Sequence, residues 1–222
     1  MTGSALILGA SGGIGGAIST HLGQGGWHVT GLSRSADGFD YADPARVDAL
    51  LSGLDGPFDL VFIATGALEI DGHGPEKALR HLAADALAAQ FRTNTIGPAL
   101  VMRHAARLLP RDRPATIAAL SARVGSIGDN HLGGWYGYRA AKAALNQIMH
   151  GAAIELGRTH KQSVCVALHP GTVSTDLTAT HGAGHDKVTP AQAAANLLNV
   201  LADLTAEDSG LFFDWQGKRV EW

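Results

Sequence analysis

The sequence has little cysteine, few aromatic residues and no long hydrophobic run, and the first and last of these shortages each exclude something. One cysteine among 222 residues cannot close an internal disulfide, so a disulfide-stapled secreted domain is excluded and a reducing, cytoplasmic setting is expected. That residue, Cys165, lies inside the apolar run 164–168, where a thiol reads as packing, not as a nucleophile. No apolar segment reaches the length of a membrane span. The first, residues 5–8, breaks at Gly9 with no basic stretch ahead of it, so neither a signal peptide nor a membrane helix is expected. An excess of charge of one sign is also missing. Lys and Arg number 17 against 20 Asp and Glu, a net charge of −3, which offers no electrostatic footprint for nucleic acid or an anionic membrane.

What remains is a composition 45% hydrophobic and 17% charged, ordinary for a globular chain able to bury one large core. No internal repeat or low-complexity tract interrupts it. Short apolar runs at residues 5–8, 28–32, 60–64, 116–120, 164–168 and 211–214 alternate with longer patterns of helical period. Helices are expected over 14–24, 44–51, 75–91 with a continuation to about 109, 135–158 and 190–204. In the third, Leu79, Leu82, Ala83, Ala86 and Phe91 recur at helical spacing. Thr189 and Pro190 have the character of a cap and a first turn. Alternation of this kind predicts an α/β fold, a single doubly wound parallel sheet flanked by helices (a Rossmann fold) formed by residues 1–222 as one domain.

Three local patterns carry chemistry. The first strand runs into Gly9, Gly13 and Gly15 before an amphipathic helix. Gly9 suits a tight turn, Gly13 allows backbone to approach a pyrophosphate, and Gly15 allows helix to pack on strand, with the helix N-terminus facing the phosphates. The second strand ends at Ser33 and Arg34 with no acid at that strand end. An acid there would bond the ribose hydroxyls and repel a 2′-phosphate, whereas Arg34 can accept it, so NADP(H) is favoured over NAD(H). Tyr138 and Lys142 lie four apart on a helix, one turn from each other on one face, where a cation is expected to lower the phenol pKa for proton transfer.

Two further features face the same crevice. Ser121 follows the fourth apolar run and offers a hydroxyl to a substrate oxygen. Pro98 lacks an N–H, so the helix cannot satisfy the carbonyl of Asn94 four residues earlier; a helix break and an anchor for a relay water are both open readings of that carbonyl.

With these residues in this order, the chain resembles the short-chain dehydrogenase/reductase family over essentially its whole length. Within it, the segment from Ser121 through Gly125, Ser126 and Ile127 to Tyr138, Lys142 and Asn146 looks most like the C-factor group and its small carbonyl-reductase relatives, some associated with cell–cell signalling. The resemblance implies a cofactor loop of Gly9, Ser11, Gly13, Ile14 and Gly15, with Ser33 and Arg34 at the ribose and Asp40 at the adenine amino group. It implies Gly66 as the survivor of the family's Asn-Asn-Ala-Gly segment, here Ile63 to Gly66, and a nicotinamide-closing segment containing Pro170, Gly171, Val173 and Thr175. Tyr138 would be the acid/base, Lys142 would bind the nicotinamide ribose and lower the tyrosine pKa, and Asn94 would hold a relay water. The family often has two adjacent serines; here Ser121 stands at the first and Ala122 at the second, leaving Ser121, with Ser126 as substitute, for the substrate contact.

The expected function is hydride exchange between NADP(H) and a small carbonyl or alcohol, in a homodimer or homotetramer formed through the helices near 78–109 and 136–157. The alternative is a sensor or signalling protein of the same fold that binds NAD(P) with little catalysis. No metal site is expected. His181, His185 and Asp186 sit in a glycine-rich stretch, which is expected to be part of a short mobile lid at about 176–189. Trp135 and Tyr136 are candidates for pocket lining, and the aromatics between Trp215 and Trp222 for an intersubunit contact.

Overall fold

The computed structural model describes residues 3–175 and 187–222; the expected lid stretch with His181, His185 and Asp186 lies outside the described residues. All six expected strands form: β1 (Ser4–Leu8), β2 (His28–Leu32), β3 (Leu60–Ile63), β4 (Ala115–Leu120), β5 (Ser163–His169) and β6 (Phe212–Asp214). They pair in parallel throughout, in the order β2-β1-β3-β4-β5-β6. Chain order reverses across β1 and β3, and a crevice opens there beyond the carboxyl ends of the strands, where such sheets bind ligands.

The strands read as unbroken apolar runs because both faces of the sheet are covered. Leu6, Leu8, Val61, Ile63, Ile117, Ala119 and Cys165 face one core layer. Ala5, Ile7, Phe62, Ala118, Leu120, Val166 and Leu168 face the other, the period of two expected of a strand. Helix α1 (Gly13–Gln24) and α8 (Pro190–Asp203) supply Ile18, Leu22, Ala194 and Leu197 to the second layer. The first is closed by α3 (Pro44–Ser52), α5 (Gly97–Met102), α6 (Ala105–Leu108) and α7 (Tyr136–Leu156). Between β2 and α3, one further turn of helix, α2 (Arg34–Asp37), occupies what was expected to be a single-helix connection. Thr189 caps α8 by accepting from the Gln192 N–H at 3.2 Å, with Pro190 in the first turn. Cys165 is fully buried, and burial pushes its thiol up to about 12, as a packing residue requires.

The third helix departs from expectation. Helix α4 covers Ala84–Phe91; residues 75–83 are an extended connection with one tight turn at Leu79–His81. Leu79 is 66% exposed and Leu82 39%, so the helical spacing of these leucines does not reflect a buried face. In this connection Glu76 is tied to the start of α7, as described below. After α4 comes a π turn, Arg92–Ile96, closed by the Gly97 N–H on the Arg92 carbonyl. Pro98 denies Asn94 the regular helical donor, and a wider turn is how helices absorb such a loss.

The π turn also brings Gly97 against the buried ring of Tyr41, whose hydroxyl shares a 2.8 Å hydrogen bond with Thr65. A Cβ on Gly97 would stand 2.0 Å from Tyr41 Cδ2, impossible without displacing the ring. Gly97→Ala is therefore expected to cost about 1–3 kcal/mol by overpacking. Urea denaturation checks this: the midpoint should fall, and an unchanged midpoint would mean that Tyr41 is not locked in place.

Candidate active site

The site is assembled from the carboxyl ends of β1, β3, β4 and β5. After β1, Gly9 takes φ +87°, and the turn closes as the Gly9 N–H donates to the Leu32 carbonyl at 2.8 Å and the Gly12 N–H to the Gly9 carbonyl at 3.0 Å. A Cβ on Gly15 would lie 2.3 Å from the Gly9 carbonyl oxygen, so Gly15 is what lets α1 pack on the strand end. Gly13 is small for a reason not visible in the motif: a Cβ there would meet Thr175 Cγ2 at 2.7 Å. The segment after β5 thus closes on the glycine loop. Pro170, Gly171 at φ +77° and Val173, which bridges to Val188, carry it there. Ser11 is exposed at the apex of the turn, and Ile14 is half-buried beneath the crevice.

At the end of β2, Ser33 is not available as expected. Its hydroxyl caps α2, accepting from Ala36 N–H at 3.2 Å, and Asp37 folds back to accept from the Ser33 N–H at 2.8 Å. An acid therefore does stand near this strand end, supplied by the α2 turn. Arg34 is exposed and makes no ion pair among the described residues. Arg46 reaches the same turn, donating to the Asp37 carbonyl at 3.0 Å, a second cation that no motif signals. Asp40 is half-buried, one oxygen accepting from Ala42 N–H at 2.9 Å.

On α7, Tyr138 and Lys142 are both buried, with 8% and 2% of their surface exposed. Lys142 Nζ lies 5.7 Å from the phenol ring centroid and donates to the Leu120 carbonyl at 2.8 Å. The lysine was expected to lower the tyrosine pKa; in the chain alone, burial is the dominant influence on both groups. Burial raises the Tyr138 pKa, and burial lowers that of Lys142 to about 7, because desolvation disfavours the charged form of each. A phenol is already neutral at pH 7, and burial reinforces that.

Asn94 is fully buried, but its side chain is occupied. Its Nδ2 donates to the Ala67 carbonyl and to Gln90 Oε1, both at 2.8 Å, and its Oδ1 accepts from Ala67 N–H at 3.1 Å. Gln90 extends the ladder to the Leu68 carbonyl at 2.8 Å. Together they hold the segment after β3, where Gly66 fits because a Cβ would press to 3.1 Å from Asn94 Oδ1 and 3.3 Å from Lys142 Nζ. Asn94 and Lys142 thus meet at Gly66.

The serine expectation needs correcting. Ser121 lines the crevice but donates its proton to Asn146 Oδ1 at 2.6 Å; while it does so, it cannot also donate to a carbonyl oxygen. Ser126 is buried in the next turn, accepting from Asp129 N–H at 3.0 Å, and does not line the crevice. Ala122 lines it without a polar group.

These residues enclose a cavity of about 770 Å³ reaching from Gly12, Gly13 and Ile14 past Gly66, Tyr138 and Lys142 to Pro170–Thr175, with Trp135, His131 and Leu132 at its other end. Trp135 lines it as expected, edge-on to Tyr138 at 6.4 Å between centroids; Tyr136 does not. His169 also lines it, its imidazole lowered to about 4 by burial and the nearby Arg123. At the C-terminus, Trp215 is 37% exposed, while Trp222 stacks on Phe212 at 5.9 Å and so belongs partly to the fold. Gln90 and His169 belong to no motif and Asn146 was given no role in one; their contacts only become visible when distant segments meet.

A parallel sheet with a glycine turn at its switch point, and a Tyr–Lys pair facing that turn across one cavity, define a dinucleotide-binding α/β protein with an acid/base site. The chain belongs to the short-chain dehydrogenase/reductase family. Residues 39–209 match a family model described as enoyl-(acyl carrier protein) reductase. The chain is 34% identical, over 98% of both sequences, to 1-hydroxy-2-glutathionyl-2-methyl-3-butene dehydrogenase of Rhodococcus sp. (strain AD45). It is 36% identical to the C-signal protein of Myxococcus xanthus over 61% of this chain and 78% of that one. The structure of a short-chain dehydrogenase/reductase of Burkholderia multivorans with bound NADP superposes with a TM-score of 0.82 at 28% identity over the whole of both chains.

The Asn94 ladder generates a stability test. Asn94→Ala leaves both polar groups of half-buried Ala67, and the buried Gln90 Oε1, without their partner, which is expected to cost about 1–3 kcal/mol. Guanidinium denaturation measures it; wild-type stability in the variant would show that water replaces the amide.

Proposed function

We propose that this chain is an NADP(H)-dependent oxidoreductase interconverting a small carbonyl compound and its alcohol, with Tyr138 as the proton donor and acceptor. The observation that carries this is the burial of Tyr138 and Lys142 together at the wall of the cavity that begins at the glycine turn. The cofactor fits the residues present: Gly13 and Gly15 sit where side chains would fill the cradle, and the first turn of α1 turns N–H groups toward it. On this reading Gly9, Ser11, Gly13, Ile14 and Gly15 hold the pyrophosphate, and Asp40 meets the adenine. Gly66, Asn94, Lys142, Pro170, Gly171, Val173 and Thr175 surround the nicotinamide end. Arg34, helped by Arg46, takes the 2′-phosphate.

When bound, NADP(H) supplies or accepts the hydride. The chain supplies the proton. In reduction, the neutral Tyr138 O–H delivers its proton to the carbonyl oxygen as negative charge develops there, and the resulting phenolate is stabilised by the Lys142 ammonium. Reprotonation then runs through a water held by the Asn94 carbonyl that Pro98 leaves without its helical donor. Ser121, committed to Asn146, shapes the pocket and positions α7 without donating to substrate. Arg123, Arg139 and Lys142 line the pocket against a single lining carboxylate, Asp129, and Arg123 is already paired with Asp129 at 3.2 Å and Asp214 at 3.0 Å; Arg139 and Lys142 tilt the lining toward neutral or anionic substrates over cations. The relative that acts on a glutathionyl alcohol fits that preference. We place the protein in the cytoplasm as a homodimer or homotetramer assembled through α4–α7; among the described residues no helix is long and apolar enough to cross a membrane.

Two measurements test this. Tyr138→Phe should abolish NADPH-dependent reduction across a panel of aldehydes and ketones while NADPH affinity stays within about twofold; turnover at the wild-type rate would sink the mechanism. No reduction by the wild type, combined with tight NADPH binding, would favour the sensor reading. For the cofactor, fluorescence titration should show NADPH bound more tightly than NADH by roughly tenfold or more, a preference lost in Arg34→Ala. Equal affinities in the wild type would overturn the 2′-phosphate assignment.

A further inference from the structure

Tyr138 occupies a position that helices hold poorly. Helix α7 begins at Tyr136, so the catalytic tyrosine is only its third residue, in the turn where N–H groups have no intrahelical acceptor and fraying starts. The residue that should cap this turn is Trp135, which has φ +53° and ψ +37°, a left-handed conformation uncommon outside glycine, and its side chain accepts no hydrogen bond from the helix. The local sequence therefore lacks the capping group that a long, functionally placed helix needs.

The missing acceptor comes from 61 residues upstream. Glu76, only 8% exposed, lies in the extended connection before α4, and its Oε2 accepts from the Gly137 N–H at 3.0 Å. Its main-chain carbonyl accepts from the Trp135 N–H at 2.6 Å. The main chain and the side chain of one residue thus clamp two N–H groups at the start of α7. Gly137 is shaped to this contact: a Cβ there would lie 2.8 Å from Glu76 Oε1, 3.2 Å from Leu87 and 3.4 Å from Gln90. A carboxylate at a helix N-terminus is also the charge that the helix dipole favours.

We propose that Glu76 is a positioning residue for the acid/base chemistry: its carboxylate caps the first turn of α7 from a distant segment and so fixes the Tyr138 phenol relative to Lys142. Glu76 is not among the residues that line the cavity; it acts through Gly137 and Trp135. The inference rests on Tyr138 being the proton donor. It accounts for two facts together, the burial of a carboxylate outside the cavity and the extended course of residues 75–83 in place of the expected helix.

The test compares Glu76→Ala, Glu76→Gln and Glu76→Asp with the wild type, well below their unfolding temperatures. Glu76→Ala should lower kcat for carbonyl reduction by about ten- to a hundredfold while the Kd for NADPH changes less than about twofold. Amide hydrogen exchange across 135–142 should accelerate. Glu76→Gln, whose amide oxygen still accepts from Gly137, should recover most of kcat; Glu76→Asp, a methylene shorter, should not. A Glu76→Ala protein with a lower Tm but wild-type kcat and unchanged exchange at Gly137 and Tyr138 would overturn the proposal, leaving Glu76 a mere loop anchor. Should Glu76→Ala fail to fold, Glu76→Asp carries the same comparison, and wild-type kcat in it overturns the idea. Should the wild type reduce no carbonyl at all, the functional reading fails separately. Exchange at Gly137 then decides the clamp, with wild-type protection in Glu76→Asp counting against it.

Discussion

The rest of the site depends on a buried ammonium. Lys142 is 2% exposed, and among the described residues its one hydrogen bond goes to the Leu120 carbonyl at the end of β4. An ammonium taken out of water loses much of its solvation, and the drop of its pKa to about 7 expresses that loss. The fold tolerates it by giving the amine a strand-end carbonyl and the face of the Tyr138 ring, and the Asn94 amide holds the segment in which Gly66 leaves room for it. Each of these is fixed by a different element. The parallel sheet delivers the carbonyl, α7 the ring, and the π turn the amide. The crevice is the place where those three elements must coincide.

Ala122 changes how substrate oxygen is held. With the Ser121 proton given to Asn146 and no hydroxyl at Ala122, neither serine position offers a free donor, and on the proposed reading the phenol of Tyr138 takes that part. A phenol that burial keeps protonated suits that task in the direction of reduction, since the group must hold its proton until charge appears on the substrate. Burial therefore serves both members of the pair. It keeps the acid neutral, and it makes the neighbouring cation's stabilisation of the phenolate stronger than it would be in water.

Much of this was legible from residue order, and the reason is physical. The six strands were visible because a sheet covered on both faces needs uninterrupted apolar runs, and Leu6 to Leu8 or Val164 to Leu168 have no other use. Gly9, Gly15, Tyr138 and Lys142 were visible because their roles depend on near neighbours in sequence. The first part, 75–83, of the helix expected over 75–91 misled because Leu79 and Leu82 have helical spacing yet face solvent, and periodicity alone cannot tell a buried stripe from an exposed one. Asp37 was hidden by a one-turn helix that folds it back on Ser33. Gln90, Asn146 and Glu76 were hidden because their partners lie 22 to 61 residues away, a distance no local pattern encodes.

These hidden residues form a continuous support. Gln90 holds Leu68 and Asn94, Asn94 holds Ala67, Thr95 donates to the Ala141 carbonyl at 2.7 Å, and Gln90 packs against Gly137. The π turn is what lets Asn94 and Thr95 point respectively toward the segment after β3 and toward α7, because a regular helix would turn the two side chains by a different angle. Pro98 enforces that turn by withholding one donor. A single missing N–H is thereby converted into the simultaneous placement of Gly66 and the first turns of α7. The rigidity that hydride and proton transfer demand thus comes from main-chain geometry and buried amides.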